Sequence, residues 1–219
     1  MSQFPKVKIC GLTRPEDVEL ARLLNANYFG FIVYAPSPRS LGISAAAKLA
    51  APISSSQRIL VDVEPGLASI EKSQSLGFKK FQIHSSLDAC EKFLPEWSAV
   101  IGRENLWIAP RLPNGHSFPE AILQYADTVL LDTYSRDQVG GTGQIGDWAS
   151  FKKLQTKFPE KYWVLAGGLS PQNVVAALKE SNASYVDVNS GVEILPGIKD
   201  HKALKSLFNE IPFSDSALS

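Results

Sequence analysis

Short apolar runs alternate with longer stretches in which apolar positions recur every three or four residues, and the alternation continues along the chain. The runs are VKIC (7–10), YFGFIV (28–33), RILVDV (58–63), KKFQIH (79–84), LWIAPRL (106–112), TVLLDT (128–133), YWVLAGG (162–168) and YVDVNSG (185–191). Their length and their β-branched and aromatic content predict strands. The intervening stretches, such as PEDVELARLLN and PQNVVAALKES, predict a helix after each strand. Pro15 and Pro171 stand where helices would begin, with Thr13 and Ser170 as candidate N-caps. Eight such units without a break in composition predict an α/β fold, a single (β/α)8 TIM barrel over residues 1–213 with 214–219 as a frayed tail. A doubly wound open sheet is the competing arrangement for the same alternation.

Composition narrows the function classes. The chain has 219 residues, 44% hydrophobic and 20% charged, the profile of a globular protein. Lys plus Arg and Asp plus Glu number 22 each, so no bulk field recruits nucleic acid or an anionic membrane. An anionic ligand must be held by local geometry. No apolar run approaches the ~20 residues of a membrane span, and MSQFPKVKIC lacks the apolar core of a secretory signal. Cys10 and Cys90 do not make a disulfide framework, which points to a reducing cytoplasm.

One motif suggests a cofactor. From Gly141, the chain reads Gly-Thr-Gly-Gln-Ile-Gly, matching the dinucleotide fingerprint letter for letter. That fingerprint carries meaning only between a strand and the helix it opens. Here the polar stretch Tyr134 to Val139 separates the sixth strand from the first glycine, and helical periodicity resumes only after Asp147. The expectation is therefore no NAD and no other cofactor.

A barrel places its chemistry where the strands end, and phosphate sites often form at loops 7 and 8. Strand 7 runs into Gly167–Gly168 and strand 8 into Ser190–Gly191. Glycines let a phosphate approach the backbone, so the two loops together predict a phosphate cradle. Strand 1 ends at Cys10, just before Gly11. Position alone leaves two readings open, a small core hydrophobe or a thiol at the mouth acting as base or nucleophile. Asp132 ends strand 6 and reads either as a turn residue or as an acid with its pKa raised by partial desolvation. In a closed ring, Cys10 and Asp132 would face each other with strands 7 and 8 between them, suiting a base and an acid on one phosphorylated substrate. Arg39 follows strand 2 in Tyr-Ala-Pro-Ser-Pro-Arg and reads as a carboxylate fork or as a solvated surface residue. Cys90, in SLDACEKFL, reads as structural.

The stretches KICGLTRPEDVELA, SPRSLG, QIHS, LLDT, GGTG, DW, LAGGLSPQNV and VDVNSGVEILPGIKD lie in order between residues 8 and 200. Together they resemble the phosphoribosylanthranilate isomerase family of tryptophan synthesis. The resemblance implies a barrel without cofactor or metal that performs an Amadori rearrangement of N-(5-phosphoribosyl)anthranilate. It implies Cys10 as general base, Asp132 as general acid, Arg39 on the anthranilate carboxylate, and Gly167, Gly168, Ser190 and Gly191 on the phosphate. His84, Gly141 and Gly143 are assigned to substrate binding, and GGTGQIG becomes a lid beyond the acid. The chain departs from the family at Gln144, Ile145 and Gly146 after GGTG, at Ser85 after the strand 4 histidine, and at Asp62 and Glu64 of strand 3. These departures touch lid closure and binding strength.

Three rivals remain at this stage. A metal-dependent epimerase would want histidines and aspartates converging on a metal, yet only His84 of the three histidines ends a strand. A two-phosphate aminoaldose isomerase would want a second glycine-rich cradle, and strands 3 and 4 end in Val-Glu-Pro and His-Ser-Ser. A non-catalytic barrel binding a phosphorylated ligand would keep the fold without the chemistry. The expected partners are thus a small phosphorylated substrate, no nucleic acid and no membrane, in a monomer or homodimer.

Overall fold

The computed structural model describes residues 4–112, 117–133 and 147–211. The eight expected strands all form, as β1 (Lys6–Ile9), β2 (Tyr28–Ile32), β3 (Arg58–Val63), β4 (Lys80–Ser85), β5 (Leu106–Pro110), β6 (Thr128–Asp132), β7 (Tyr162–Ala166) and β8 (Tyr185–Val188). Each pairs in parallel with the next, and β8 closes onto β1 with Lys8 opposite Asp187 and Ile9 opposite Val188. Closure excludes the open sheet. The fold is a (β/α)8 barrel.

The strands read as apolar runs because both faces are buried. Alternate side chains of β3 show it: Ile59 and Val61 join an inner core with Trp107, Leu130 and Val164, while Leu60 joins the outer core beneath the helices. At the N-terminal end, the inner core is plugged by aromatics. Tyr28 meets Trp107 edge-on with ring centroids 4.9 Å apart, Tyr162 meets Tyr185 at 5.6 Å, and the Lys6 ammonium lies 5.1 Å from the centre of the Tyr185 ring.

The outer ring holds α1 (Pro15–Leu23), α2 (Ile43–Ala50), α3 (Leu67–Ser75), α4 (Leu87–Ile101), α5 (Trp148–Lys157), α6 (Val174–Ser181) and α7 (His201–Glu210). The fifth unit departs from the expected pattern. Among the described residues it has only a 3-10 turn, Glu120–Gln124, entered from Pro119. Pro15 does open α1, but the capping position is Arg14 and no side chain caps it. The Thr13 hydroxyl instead donates to the carbonyl of Gly197, far along the chain. Nor does Pro171 open a helix. Residues 171–173 form a separate turn, and α6 starts at Val174, with the Asn173 carboxamide accepting the Ser170 N–H and donating to the Gly168 carbonyl.

A two-stranded hairpin follows β8, where the sequence reads as a loop: β9 (Glu193–Leu195) and β10 (Ile198–Lys199) pair antiparallel around Gly197 at φ +82°. It is pinned from below by Asp17, fully buried in α1. The Asp17 carboxylate accepts from Arg14, from the Lys199 N–H at 3.1 Å, and lies 2.8 Å from His201 Nε2. Burial raises the pKa of this carboxyl, but its donors outweigh burial and hold it below the usual carboxylate range. No helix among the described residues is long and apolar enough to cross a membrane. The expected tail, 214–219, lies outside the described residues.

Candidate active site at the mouth of the barrel

The C-terminal strand ends surround a cavity of about 180 Å³. Cys10, His84, Asp132, Gly167, Gly168, Ser190 and Gly191 all line it, so seven positions singled out in the sequence meet in one place. Gly141 and Gly143, and the lid expected there, lie outside the described residues.

Cys10 follows β1 directly, and its N–H donates to the Val188 carbonyl at 2.9 Å, which ties it to β8. The residue is 3% exposed. Burial pushes its thiol up, and the nearby Lys8 ammonium pulls in the opposite direction without cancelling the rise. Asp132 stands on the far side of the ring, level with Ala166 of β7, and is exposed at its strand end, so the partial burial that one of its two sequence readings called for is not seen.

Loops 7 and 8 interlock. Gly167 and Gly168 take φ of +102° and +61°, values that side-chain-bearing residues rarely adopt. A Cβ on Gly191 would sit 2.0 Å from the Leu169 carbonyl oxygen, so only glycine lets loop 8 lie against loop 7. Asn173 ties the same loop back to Gly168. The result is a backbone-lined recess bounded by Gly167–Gly168 and Ser190–Gly191, the construction a phosphate needs.

Arg39 sits beside β1 but outside the cavity lining. A Cβ on Gly11 would lie 2.8 Å from its Cδ. Its Nε and Nη2 already grip Glu193 of the hairpin, with Nη2 donating at 2.6 Å, while Lys199 Nζ donates to the other Glu193 oxygen at 3.0 Å. Burial raises the Glu193 pKa, yet the two cations hold it below the usual carboxylate range. One edge of the Arg39 fork is therefore occupied, and the edge bearing Nη1 is the one left to face a ligand.

Several groups escaped the sequence reading. Lys8 and Asp187 form a buried ion pair at 2.9 Å inside the barrel, and Asp187 lines the cavity together with Gln82 and Asn189. The Gln82 side-chain amide lies 2.9 Å from His84 Nε2, and its own Oε1 is buried without a partner among the described residues. Burial, reinforced by Lys8, lowers the His84 pKa to about 4, so the imidazole is neutral at ordinary pH. A charged or amide residue in mid-strand of an otherwise apolar run was the available signal, present in VKIC, KKFQIH and YVDV. Among the described residues, no group of three or more His, Cys, Asp or Glu could hold a metal ion.

The family model of N-(5'phosphoribosyl)anthranilate (PRA) isomerase matches residues 7–210. The chain belongs to this isomerase family. A relative from Trichormus variabilis, named N-(5'-phosphoribosyl)anthranilate isomerase, is 33% identical over 210 residues, covering 94% of this chain and 98% of the relative. The crystal structure of phosphoribosyl anthranilate isomerase from Thermotoga maritima superposes with a TM-score of 0.76 at 30% identity, covering 94% of this chain and 98% of that one. A further isomerase structure, in complex with reduced 1-(o-carboxyphenylamino)-1-deoxyribulose 5-phosphate, matches with a TM-score of 0.74 at 28% identity, with coverage of 94% and 98%.

Proposed function

We infer that the protein is a phosphoribosylanthranilate isomerase of tryptophan biosynthesis. It converts N-(5-phosphoribosyl)anthranilate to 1-(o-carboxyphenylamino)-1-deoxyribulose 5-phosphate. The observation that carries the reading is the arrangement of Cys10 and Asp132 on one cavity with the glycine recess between them. The recess takes the 5-phosphate on backbone N–H groups. The free edge of Arg39 takes the anthranilate carboxylate at the opposite side. Gln82 Oε1 accepts from a sugar hydroxyl, and neutral His84 lies against the same part of the substrate.

The chemistry then needs only proton movements. Asp132 gives its proton to the furanose ring oxygen, and the C1–O bond breaks as the anilino nitrogen's lone pair forms the protonated Schiff base. Cys10, as thiolate, removes the C2 proton, and the C2–H electron pair moves into the enolamine. Tautomerisation of the enol to the ketone completes the rearrangement. Hydrogen is redistributed within one molecule, so no oxidant and no cofactor are required. Every proposed group comes from one chain, so a monomer or a homodimer working in the cytoplasm would carry complete sites.

The test is loss of phosphoribosylanthranilate fluorescence with purified protein. Turnover that survives chelator and falls by at least ~10²-fold in Cys10→Ala and Asp132→Asn supports the reading. No turnover by the folded wild-type protein overturns it.

A further inference from the structure

Lys8 is 1% exposed and its partner Asp187 8% exposed, the two lying opposite each other across the seam where β8 meets β1. A lone buried ion pair is a poor stabiliser, because desolvating both charges offsets their attraction. Packing alone therefore gives no reason to keep a lysine inside a barrel. Its neighbour does. Lys8 is two residues before Cys10 on the same face of the chain, and its ammonium, bound to Asp187 at 2.9 Å, also acts electrostatically on the nearby Cys10 sulfur. The space for this comes from β2. A Cβ on Gly30 would stand 2.9 Å from both Cys10 Sγ and Lys8 Nζ, so the missing side chain is what lets the two groups meet.

The other charges near the sulfur are already committed. Arg39, after β2, and Lys199, in β10, are both bound to Glu193. His84, in β4, is neutral, and Asp132 stands across the cavity in β6. Arg39 and Lys199 act on the sulfur from their ion pairs with Glu193, whereas Lys8 borders the same space beside Gly30 as the sulfur itself.

We propose that Lys8 is a positioning residue for the proton transfer, sharing one ammonium between Cys10 and Asp187 so that the pair sets the basicity of the sulfur. Lys8 supplies the counter-charge that lets Cys10 lose its proton to solvent. Asp187 withholds part of that charge, so the thiolate remains basic enough to take a proton from carbon. A thiolate stabilised too far would be abundant but weak. Lys8 itself keeps its proton throughout. The inference rests on Cys10 being the base, yet it concerns the free enzyme and can be read without substrate.

The experiment is a pH titration of Cys10 thiolate absorbance in a Cys90→Ala background, with Cys10→Ala as the blank. Lys8→Met should raise the midpoint by at least about one pH unit, because it leaves Asp187 as an unshared negative neighbour. Asp187→Asn should lower it by a comparable amount, because the whole ammonium then serves the sulfur. Lys8→Arg should stay close to the parent, and should Lys8→Met fail to fold, the downward shift in Asp187→Asn decides alone. Both substitutions break the same ion pair, so a purely structural role would give no opposition of sign. Shifts in one direction for both, or no shift in folded Asp187→Asn, would overturn the proposal. A missing isomerase activity with the opposed shifts intact would count against the proposed reaction and not against the pair.

Discussion

Arg39 is bound to Glu193 by a two-pronged contact: Nη2 donates to a carboxylate oxygen at 2.6 Å, and Nε reaches both oxygens at 3.0 Å. The hairpin thus holds the guanidinium in a fixed position. Arg39→Ala should weaken substrate binding by roughly 1.5–3 kcal/mol, the worth of a charge-assisted hydrogen bond. Arg39→Lys should recover only part, since an ammonium cannot hold Glu193 and a second carboxylate in one plane. Glu193→Gln should raise the Michaelis constant while leaving turnover nearly unchanged, because it loosens that hold without touching acid or base. Steady-state kinetics decide. An unchanged Michaelis constant in Arg39→Ala would make the arginine a strut for the hairpin alone.

Gly191→Ala places a methyl group 2.0 Å from the Leu169 carbonyl oxygen, so the two loops must part. Competitive inhibition by inorganic phosphate should weaken about tenfold or more, and the melting transition should fall as well, because a backbone carbonyl has to move. Phosphate inhibition equal to wild type would move the phosphate away from this recess.

The pH dependence separates the titrating groups. Catalytic efficiency should be bell-shaped, should only fall with rising pH in Cys10→Ala, and should only rise with pH in Asp132→Asn. His84 is neutral above a pKa of about 4, so His84→Asn should keep both limbs. Its imidazole resonances should stay still on acidification until pH approaches that value. A His84 titration midpoint near ~6.5, the ordinary value, would contradict the burial and the Lys8 repulsion described here.

Asp62 offers a stability test away from the site. It sits half-buried, with Val63 N–H donating to its carboxylate at 2.8 Å, and burial raises its pKa. The folded state therefore holds its proton to higher pH than the unfolded chain does. The associated stability is present below the unfolded value of ~3.9 and is lost as pH rises through the folded value, so at neutrality the charge is a net cost. Asp62→Asn should stabilise the protein by up to about 1 kcal/mol near neutral pH and by nothing in acid. Denaturant melts at the two pH values check it; an equal effect at both would point to packing instead.

The barrel was legible because a strand covered on both faces has little freedom in composition, so β1 to β8 read as apolar runs. The chemical positions were legible for the same reason: Cys10 and Asp132 stand where such runs stop. Thr13 misled because hydroxyls suit many turns and a distant partner, the Gly197 carbonyl, decided its use, while at Ser170 the neighbouring Asn173 side chain holds the turn instead. Tertiary partners also hid Lys8 and Glu193. Lys8 meets Asp187 across 179 positions and Arg39 meets Glu193 across 154, separations that no local pattern encodes.

Many of the contacts around the proposed base join the beginning of the chain to its end: Cys10 N–H to Val188, Lys8 to Asp187, Thr13 to Gly197, Asp17 to Lys199 and His201, Arg39 to Glu193. A nascent chain with six strands out of the ribosome already contains Cys10, Asp132 and Arg39, yet none of these partners has been made. During synthesis, then, Lys8 lacks its counter-ion and the arginine has no anchor until the final unit docks. Isomerase activity is on this account a late product of translation, appearing with the closing of the ring rather than with the arrival of the acid and the base.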